Sequence, residues 1–196
     1  MTSQQYEMKQ LDETRSVALM NKIQKKIKKI ICPQGLLDLT TKDGRTQYTE
    51  RAYQEKFKIL FEKMVSKGTI LKYVQAGSQK PYDFRLFTKN GILYLEIKKA
   101  TTNVVKLNDT YPTKDVYYMI LYTGNKNNRG CIFWKRGDKL IEIPPQEEEL
   151  LETYKKDIKG LKDMRKGFKE GNLSVYPRPG FDVNIRKFIQ ECNSIM

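Results

Sequence analysis

The stretch Pro81-Tyr82-Asp83-Phe84-Arg85-Leu86-Phe87-Thr88-Lys89-Asn90-Gly91-Ile92-Leu93-Tyr94-Leu95-Glu96-Ile97-Lys98 reads as two strands joined by a tight turn. Asn-Gly is a strong hairpin signal, because both central residues of a type I′ turn need positive φ. A turn at Asn90-Gly91 predicts a register in which Lys89 faces Ile92, Phe87 faces Tyr94, Arg85 faces Glu96 and Asp83 faces Lys98. Side chains alternate across a strand, so Asp83, Arg85, Glu96 and Lys98 all project from one face of the ribbon. Phe84, Leu86, Leu93, Leu95 and Ile97 form the other, a core face. A loop of odd length would put Asp83 on the wrong face.

Two carboxylates and a lysine above an apolar underside suit metal-assisted hydrolysis of a phosphodiester. Mg²⁺ is a hard cation that takes a few carboxylate oxygens and keeps positions for water and phosphate. Asp83 and Glu96 are the candidate ligands, with the carbonyl of Ile97 as a third. A metal so held polarises the phosphate and acidifies a bound water. Lys98 is expected to orient that water or to stabilise negative charge in the transition state. Its pKa is of a kind that shifts readily in a desolvated site. A Glu-x-Lys triplet alone means little in so lysine-rich a chain; Glu7-Met8-Lys9 is another, read as helical. Alternating charge also occurs on the solvent face of surface hairpins, and that reading stands beside the metal site.

Asp83 followed by Glu96-Ile97-Lys98 resembles the PD-(D/E)XK motif of many type II restriction endonucleases and Holliday-junction resolvases. The flanks are similar to restriction enzymes in particular: Ala76-Gly77-Ser78-Gln79 before the first acid, Leu107-Asn108-Asp109-Thr110-Tyr111-Pro112 after the hairpin, then the apolar run Val116-Tyr117-Tyr118-Met119-Ile120-Leu121-Tyr122. The likeness spans residues 45–125, and Tyr82 separates Pro81 from Asp83 as a departure from the pattern. It implies an α/β (α+β) fold, a restriction-endonuclease-like core with a central mixed β-sheet flanked by helices. It further implies a Mg²⁺-dependent endonuclease cutting double-stranded DNA at a specific short sequence, leaving 5′-phosphate and 3′-hydroxyl ends. Symmetric cleavage would favour a homodimer. The resemblance also implies an acid on the helix before the hairpin, with Glu50 the first choice and Glu55 the second. Either is equally readable as a first-turn Glu favoured by the helix dipole. Two alternatives stand: a structure-specific, junction resolvase-like nuclease of the same superfamily, and a basic nucleic-acid-binding protein without catalysis.

Composition narrows the field. A formal net charge of +14 over 196 residues calls for an acidic partner, with nucleic acid first; ribosomal proteins and membrane-surface binders share such a balance. At 39% hydrophobic, the chain has enough apolar residues for a folded domain. The chain has no histidine, which excludes serine-histidine and cysteine-histidine catalysis, histidine zinc sites and histidine-based nucleases. Cys32, Cys131 and Cys192 are far apart and odd in number, so they read as reduced thiols rather than a disulfide framework. No signal peptide and no apolar run of membrane-spanning length is visible. A cytoplasmic protein with no membrane attachment and no small-molecule cofactor is expected.

The chain reads as a single nuclease domain over 1–196, with an N-terminal helical extension (1–44), a catalytic core (45–135) and a C-terminal helical part (136–196). Apolar periodicity predicts a helix over 4–31. Its lysines Lys22, Lys25, Lys26, Lys28 and Lys29 could track phosphates or simply face solvent. Thr49 is the expected N-cap of a second helix ending at Gly68. Its apolar stripe is Tyr53, Phe57, Leu60, Phe61 and Met64, with Glu50 at the end of that stripe. Strands are expected over 69–76, 116–123 and 131–135, a polar loop over 103–114, and helices over 145–171 and 183–192. Gln79, Lys80, Asn108, Thr113 and Lys114 flank the motif strands and are candidates for DNA contact.

Overall fold

Asp12 starts the first helix. In the computed structural model, which describes residues 9–31, 35–36, 46–77, 80–108, 112–125, 128–141, 148–167 and 180–194, helix α1 is Glu13–Ile30, and the Asp12 carboxylate accepts the Arg15 N–H at 2.9 Å. A side-chain cap of this kind satisfies a backbone donor that the helix itself cannot. Of the helix expected over 4–31, residues 4–8 lie outside the described residues and residues 9–12 precede the helix, because residues 9–11 are tied to the hairpin. Ile92 N–H donates to the Lys9 carbonyl (3.0 Å) and Leu11 N–H donates to the Ile92 carbonyl (2.9 Å). Helix α2, Thr46–Ser66, begins before the expected cap at Thr49 and stops where expected. There Gly68 adopts φ 63°, and Thr69 N–H closes onto the Met64 carbonyl at 2.9 Å. This is the glycine-terminated geometry that satisfies a helix's last carbonyls.

The strands are β1 (Lys72–Gln75), β2 (Phe84–Thr88), β3 (Gly91–Ala100), β4 (Val104–Asn108), β5 (Val116–Asn125), β6 (Asn128–Arg136) and β7 (Gly180–Asn184). Five of them form one sheet in the order β1-β2-β3-β5-β6. β3 and β5 are parallel and the other neighbours antiparallel, so the sheet is mixed. Short helices α3 (Gly137–Leu140) and α5 (Arg186–Ser194) and the longer α4 (Glu148–Gly167) complete the chain. The expected mixed α/β architecture, a central sheet flanked by helices, is present. No helix among the described residues is long and apolar enough to cross a membrane.

Each face of the sheet has its own core. On one face, α1 contributes Met20, Ile23 and Ile27 and α2 contributes Phe57, Leu60, Phe61 and Met64, against Phe84, Leu86, Leu93, Leu95 and Ile97 of the hairpin. Phe61 meets Phe84 edge-on, with ring centroids 5.2 Å apart. Burying each such side chain is worth about 1.5–3 kcal/mol, so this face anchors the hairpin. On the other face, β4 and β7 pair into a small second sheet. With α5, it packs Val105, Leu107, Val183, Ile185 and Ile189 on Tyr118, Ile120 and Tyr122 of β5.

That second layer corrects two expectations. Residues 104–108 are a strand rather than part of a polar loop, and the closing helix begins at Arg186 rather than 183, because residues 180–184 are drawn into β7. The C-terminal part is therefore not all-helical: β7 pairs with β4 of the expected core, and Phe188 of α5 packs on Phe133 of β6.

The hairpin register is also corrected. Thr88 pairs with Gly91, Phe87 with Ile92, Arg85 with Tyr94 and Phe84 with Leu95. The two-residue turn is thus Lys89-Asn90, one position earlier than expected. Thr88 draws it there, since its hydroxyl donates to the Gly91 carbonyl (2.9 Å) and accepts the Asn90 N–H (3.2 Å). Gly91 is fixed by crowding as much as by its φ of 147°, since a Cβ there would lie 2.6 Å from the Lys9 carbonyl oxygen. Moving an even-length turn by one residue slides the partners by two, so every side chain keeps its face.

Candidate active site

Asp83 stands just before β2, and its own backbone continues the ladder: its N–H donates to the Leu95 carbonyl at 2.9 Å, and its carbonyl accepts the Ala76 N–H at 2.7 Å. Its carboxylate then does what the next residue of a longer β2 would do. Oδ2 accepts the Ile97 N–H at 2.7 Å. The regular register ends at Phe84, because Asp83 also turns its N–H to Leu95, the partner of Phe84, in the manner of a bulge. Residues two apart on a strand present their peptide groups to the same side. The Ile97 carbonyl therefore faces the Asp83 edge, as the Leu95 carbonyl does.

Glu96 and Lys98 share the face of Asp83, and the Lys98 Nζ lies 2.7 Å from the Glu96 Oε1. These are not solvated charges: the side chains of Glu96 and Lys98 are only 13% and 28% exposed. In that partial burial the pair differs from the charges of a fully solvated hairpin face. The Asp83 and Glu96 carboxyls are close enough to shift each other's ionisation.

Burial and two adjacent acids set the electrostatics. Burial first, then the Glu96 charge, pushes the Asp83 carboxyl up to about 7, against the pull of the Ile97 N–H and the Lys98 ammonium. Glu96 is raised as well, its burial outweighing the attraction of Lys98. Burial by itself would lower Lys98, but Glu96, with Asp83 and Glu50, reverses this and holds the ammonium above the ordinary lysine range. Carboxylates are pushed up by burial and by like charge, and a lysine is held up by nearby acids.

Helix α2 reaches the site through a residue the sequence did not flag. The Gln54 Nε2 donates to the Asp83 Oδ1 at 3.1 Å and to the Glu50 Oε1 at 3.3 Å, while its Oε1 accepts from the Gln75 Nε2 at 3.1 Å. Glu50 is exposed and touches the carboxylate pair only through that amide. Glu55 points elsewhere, to the Lys58 Nζ at 2.6 Å. A neutral glutamine carries no charge signal, but its place one turn after Glu50, on the same helix face, was the available clue. Tyr53 of α2 is buried beside the acids. Burial and then the charges of Glu50, Asp83 and Glu96 keep its phenol protonated. Tyr118 lies opposite Glu96 on β5, and its hydroxyl accepts the Thr113 N–H at 2.9 Å.

The proposed DNA-contact residues scatter. Thr113 is tied to this face through Tyr118, whereas Lys80 and Lys114 are exposed. Asn108 ends β4 but its side chain lies outside the described residues, as does Gln79 altogether.

All oxygens that converge here are hard donors. Among the described residues no group of three or more His, Cys, Asp or Glu is placed to hold a metal ion. The donor set is thus the Asp83–Glu96 pair with the Ile97 carbonyl at its edge. Such a set fits Mg²⁺, which is commonly held by one or two carboxylates and keeps its other positions for water and phosphate. No family model matches the chain, and comparisons with curated proteins and with solved structures found none similar to it.

Proposed function

We propose that the chain is a Mg²⁺-dependent deoxyribonuclease of restriction-endonuclease-like architecture, hydrolysing double-stranded DNA at a specific short sequence. One observation carries the reading: two largely buried, mutually coupled carboxylates, one of them 2.7 Å from a lysine ammonium, on a sheet whose other face is plain core. Two adjacent buried acids are destabilising without a compensating cation, and strongly perturbed groups of this kind cluster at functional sites. The net charge of +14 supports a polyanionic substrate.

Asp83, Glu96 and the Ile97 carbonyl would hold Mg²⁺, which supplies a Lewis acid for the phosphate and lowers the pKa of a bound water. The chain's own part is positional and electrostatic. Lys98, held charged by Glu96, acts as a donor to developing negative charge rather than as a base. The Ile97 N–H and the Gln54 amide fix both oxygens of Asp83, so its carboxylate is oriented before substrate arrives. Gln54 also ties Glu50 to the site, where it adds negative potential without direct contact.

The test is digestion of DNA of many sequences with Mg²⁺, followed by sequencing of the ends. Recurrent ends at one short sequence, with a 5′-phosphate, are expected. Glu96→Ala and Lys98→Ala should abolish cutting while DNA binding persists. Cleavage that survives both changes would overturn the site. DNA binding without divalent-dependent cleavage on any sequence would leave a binding protein, and four-way junctions cut in preference to duplex would make it structure-specific.

A further inference from the structure

β6 is the last strand of the sheet, two positions beyond β3 in the order β3-β5-β6. At one point its outer edge is tied to both neighbouring helices. The Ile132 carbonyl accepts the Gln24 Nε2 of α1 at 2.7 Å and the Cys192 thiol of α5 at 3.8 Å. The two helices thereby wall an open cleft of about 870 Å³ along the edge, within the size range of small-ligand sites, roughly 300–1,000 Å³.

The lining has a particular chemistry. It contains six cations, Lys25, Lys28, Lys135, Arg136, Lys139 and Lys187, against two acids. Both acids are already engaged: Glu191 with Lys135 at 3.3 Å, and Glu13 with Arg136 at 3.2 Å. The other four lysines are exposed and join no ion pair with the described residues. The cleft therefore carries a surplus of positive charge. Between these cations stand aromatic walls. The Trp134 indole is oriented by donation from its Nε1 to the Asn21 Oδ1 at 3.1 Å, and the Phe188 ring already carries the Lys135 ammonium 4.4 Å from its centre.

We propose that this cleft binds a nucleotide, its phosphates on the lysines of α1 and α5 and its base against Trp134 or Phe188. A surplus of lysines alone would take any polyanion. Aromatic faces at the same site select one that carries a planar ring, and base stacking on such faces is worth about 1–3 kcal/mol per base. An extended peptide adding to this edge would have to displace the Gln24 amide from the Ile132 carbonyl. The nucleotide has two possible sources, free in solution or as a unit of a single strand. The site does not depend on the nuclease reading, since it shares no residue with Asp83, Glu96 or Lys98.

Trp134 is the chain's single tryptophan, so its fluorescence reports on the cleft directly. Titrating the full chain with AMP, ADP and a short oligothymidylate should quench that emission saturably. Tighter binding of the oligonucleotide assigns the single strand as ligand, and equal or tighter binding of the mononucleotides assigns the free form. Charge reversal at two exposed positions, Lys28→Glu with Lys187→Glu, should weaken binding by about tenfold or more, with the circular dichroism of the fold unchanged. Calorimetry on the same variant gives a second readout independent of the indole. No saturable quenching by either ligand class would overturn the proposal, as would an affinity indifferent to the charge reversal. Pyrophosphate binding as tightly as ADP would also overturn it, because the aromatic walls would then contribute nothing.

Discussion

The two faces of the β2–β3 hairpin are withdrawn from water to different degrees, and for different ends. Toward α1 and α2, Phe84, Leu86, Leu93, Leu95 and Ile97 are apolar and at most 2% exposed. On the opposite face Asp83, Glu96 and Lys98 are charged and only partly withdrawn from water, the Glu96 and Lys98 side chains being 13% and 28% exposed. Burial of the first set stabilises the fold. Burial of the second opposes it, because ions leave water at a cost that pairing only partly offsets. A hairpin that places stabilising residues on one face and costly ones on the other is built to hold the costly ones still.

The largest effect should come from the apolar face. Phe84→Ala removes a fully buried ring in contact with Phe61, and should cost about 3–5 kcal/mol of unfolding free energy. Denaturant titration measures it. DNA cleavage at a temperature where the variant stays folded should be little changed, since Phe84 does not reach the carboxylates.

Glu96→Gln should do the reverse. Cleavage should fall by about 10²–10³-fold, while stability should fall less than for Phe84→Ala, since neutralising Glu96 relieves its repulsion with Asp83 but leaves Lys98 paired with Asp83 alone. A stability loss as large as that of Phe84→Ala would erase the distinction between the faces.

The third effect is one of pH. In the fold Asp83 holds its proton up to about 7, whereas its ordinary value is 3.8. Between those values the folded state binds a proton that the unfolded chain has lost. The stability contribution is therefore full below about pH 4 and is lost as pH rises through about 7, at most about 4 kcal/mol. Comparing Asp83→Asn with the parent isolates it: the parent should weaken relative to the variant across that window. Mg²⁺ binds the ionised form, so it should raise the melting temperature at about pH 8 far more than at about pH 5, and in neither case for Glu96→Gln. A flat difference between parent and Asp83→Asn would show that Asp83 is ionised throughout.

This contrast was legible in the sequence, though its register was not. Strand alternation has a period of two, so any even-length turn leaves Asp83, Glu96 and Lys98 on one face; the partners depend on where the turn sits. Its position is decided by Thr88 and by the close passage of residues 9–11 over Gly91, and the second of these is a contact distant in sequence. For the same reason β4 and β7 escaped notice. Each is five residues long, and their pairing spans more than 70 positions, from Val104 to Asn184. Helix α2 was easier, because its stripe and its glycine stop are local signals. What its stripe did not reveal is that Gln54, at the edge of the apolar surface, turns toward Asp83.

Among the described residues Gln54 is the one side chain from the helical layer that bonds a carboxylate of the pair, and so it measures how far the two faces are independent. Its amide holds the Asp83 Oδ1 while the Ile97 N–H holds Oδ2. Gln54→Ala should leave the apolar core intact, because the amide rather than the stem reaches the site, and should change stability by less than about 1 kcal/mol. Cleavage should fall by about 10–100-fold, the usual penalty for losing a group that orients a ligand rather than being one. The Mg²⁺ concentration for half-maximal rate should rise with it, a shift that loss of packing alone would not give. Gln54→Glu sharpens the point. It adds a third acid between Glu50 and Asp83, replacing a donor with an acceptor, and should raise the pH at which Asp83 ionises further. An unchanged Mg²⁺ requirement in both variants would mean that the helix supports the hairpin from below and takes no part in orienting Asp83.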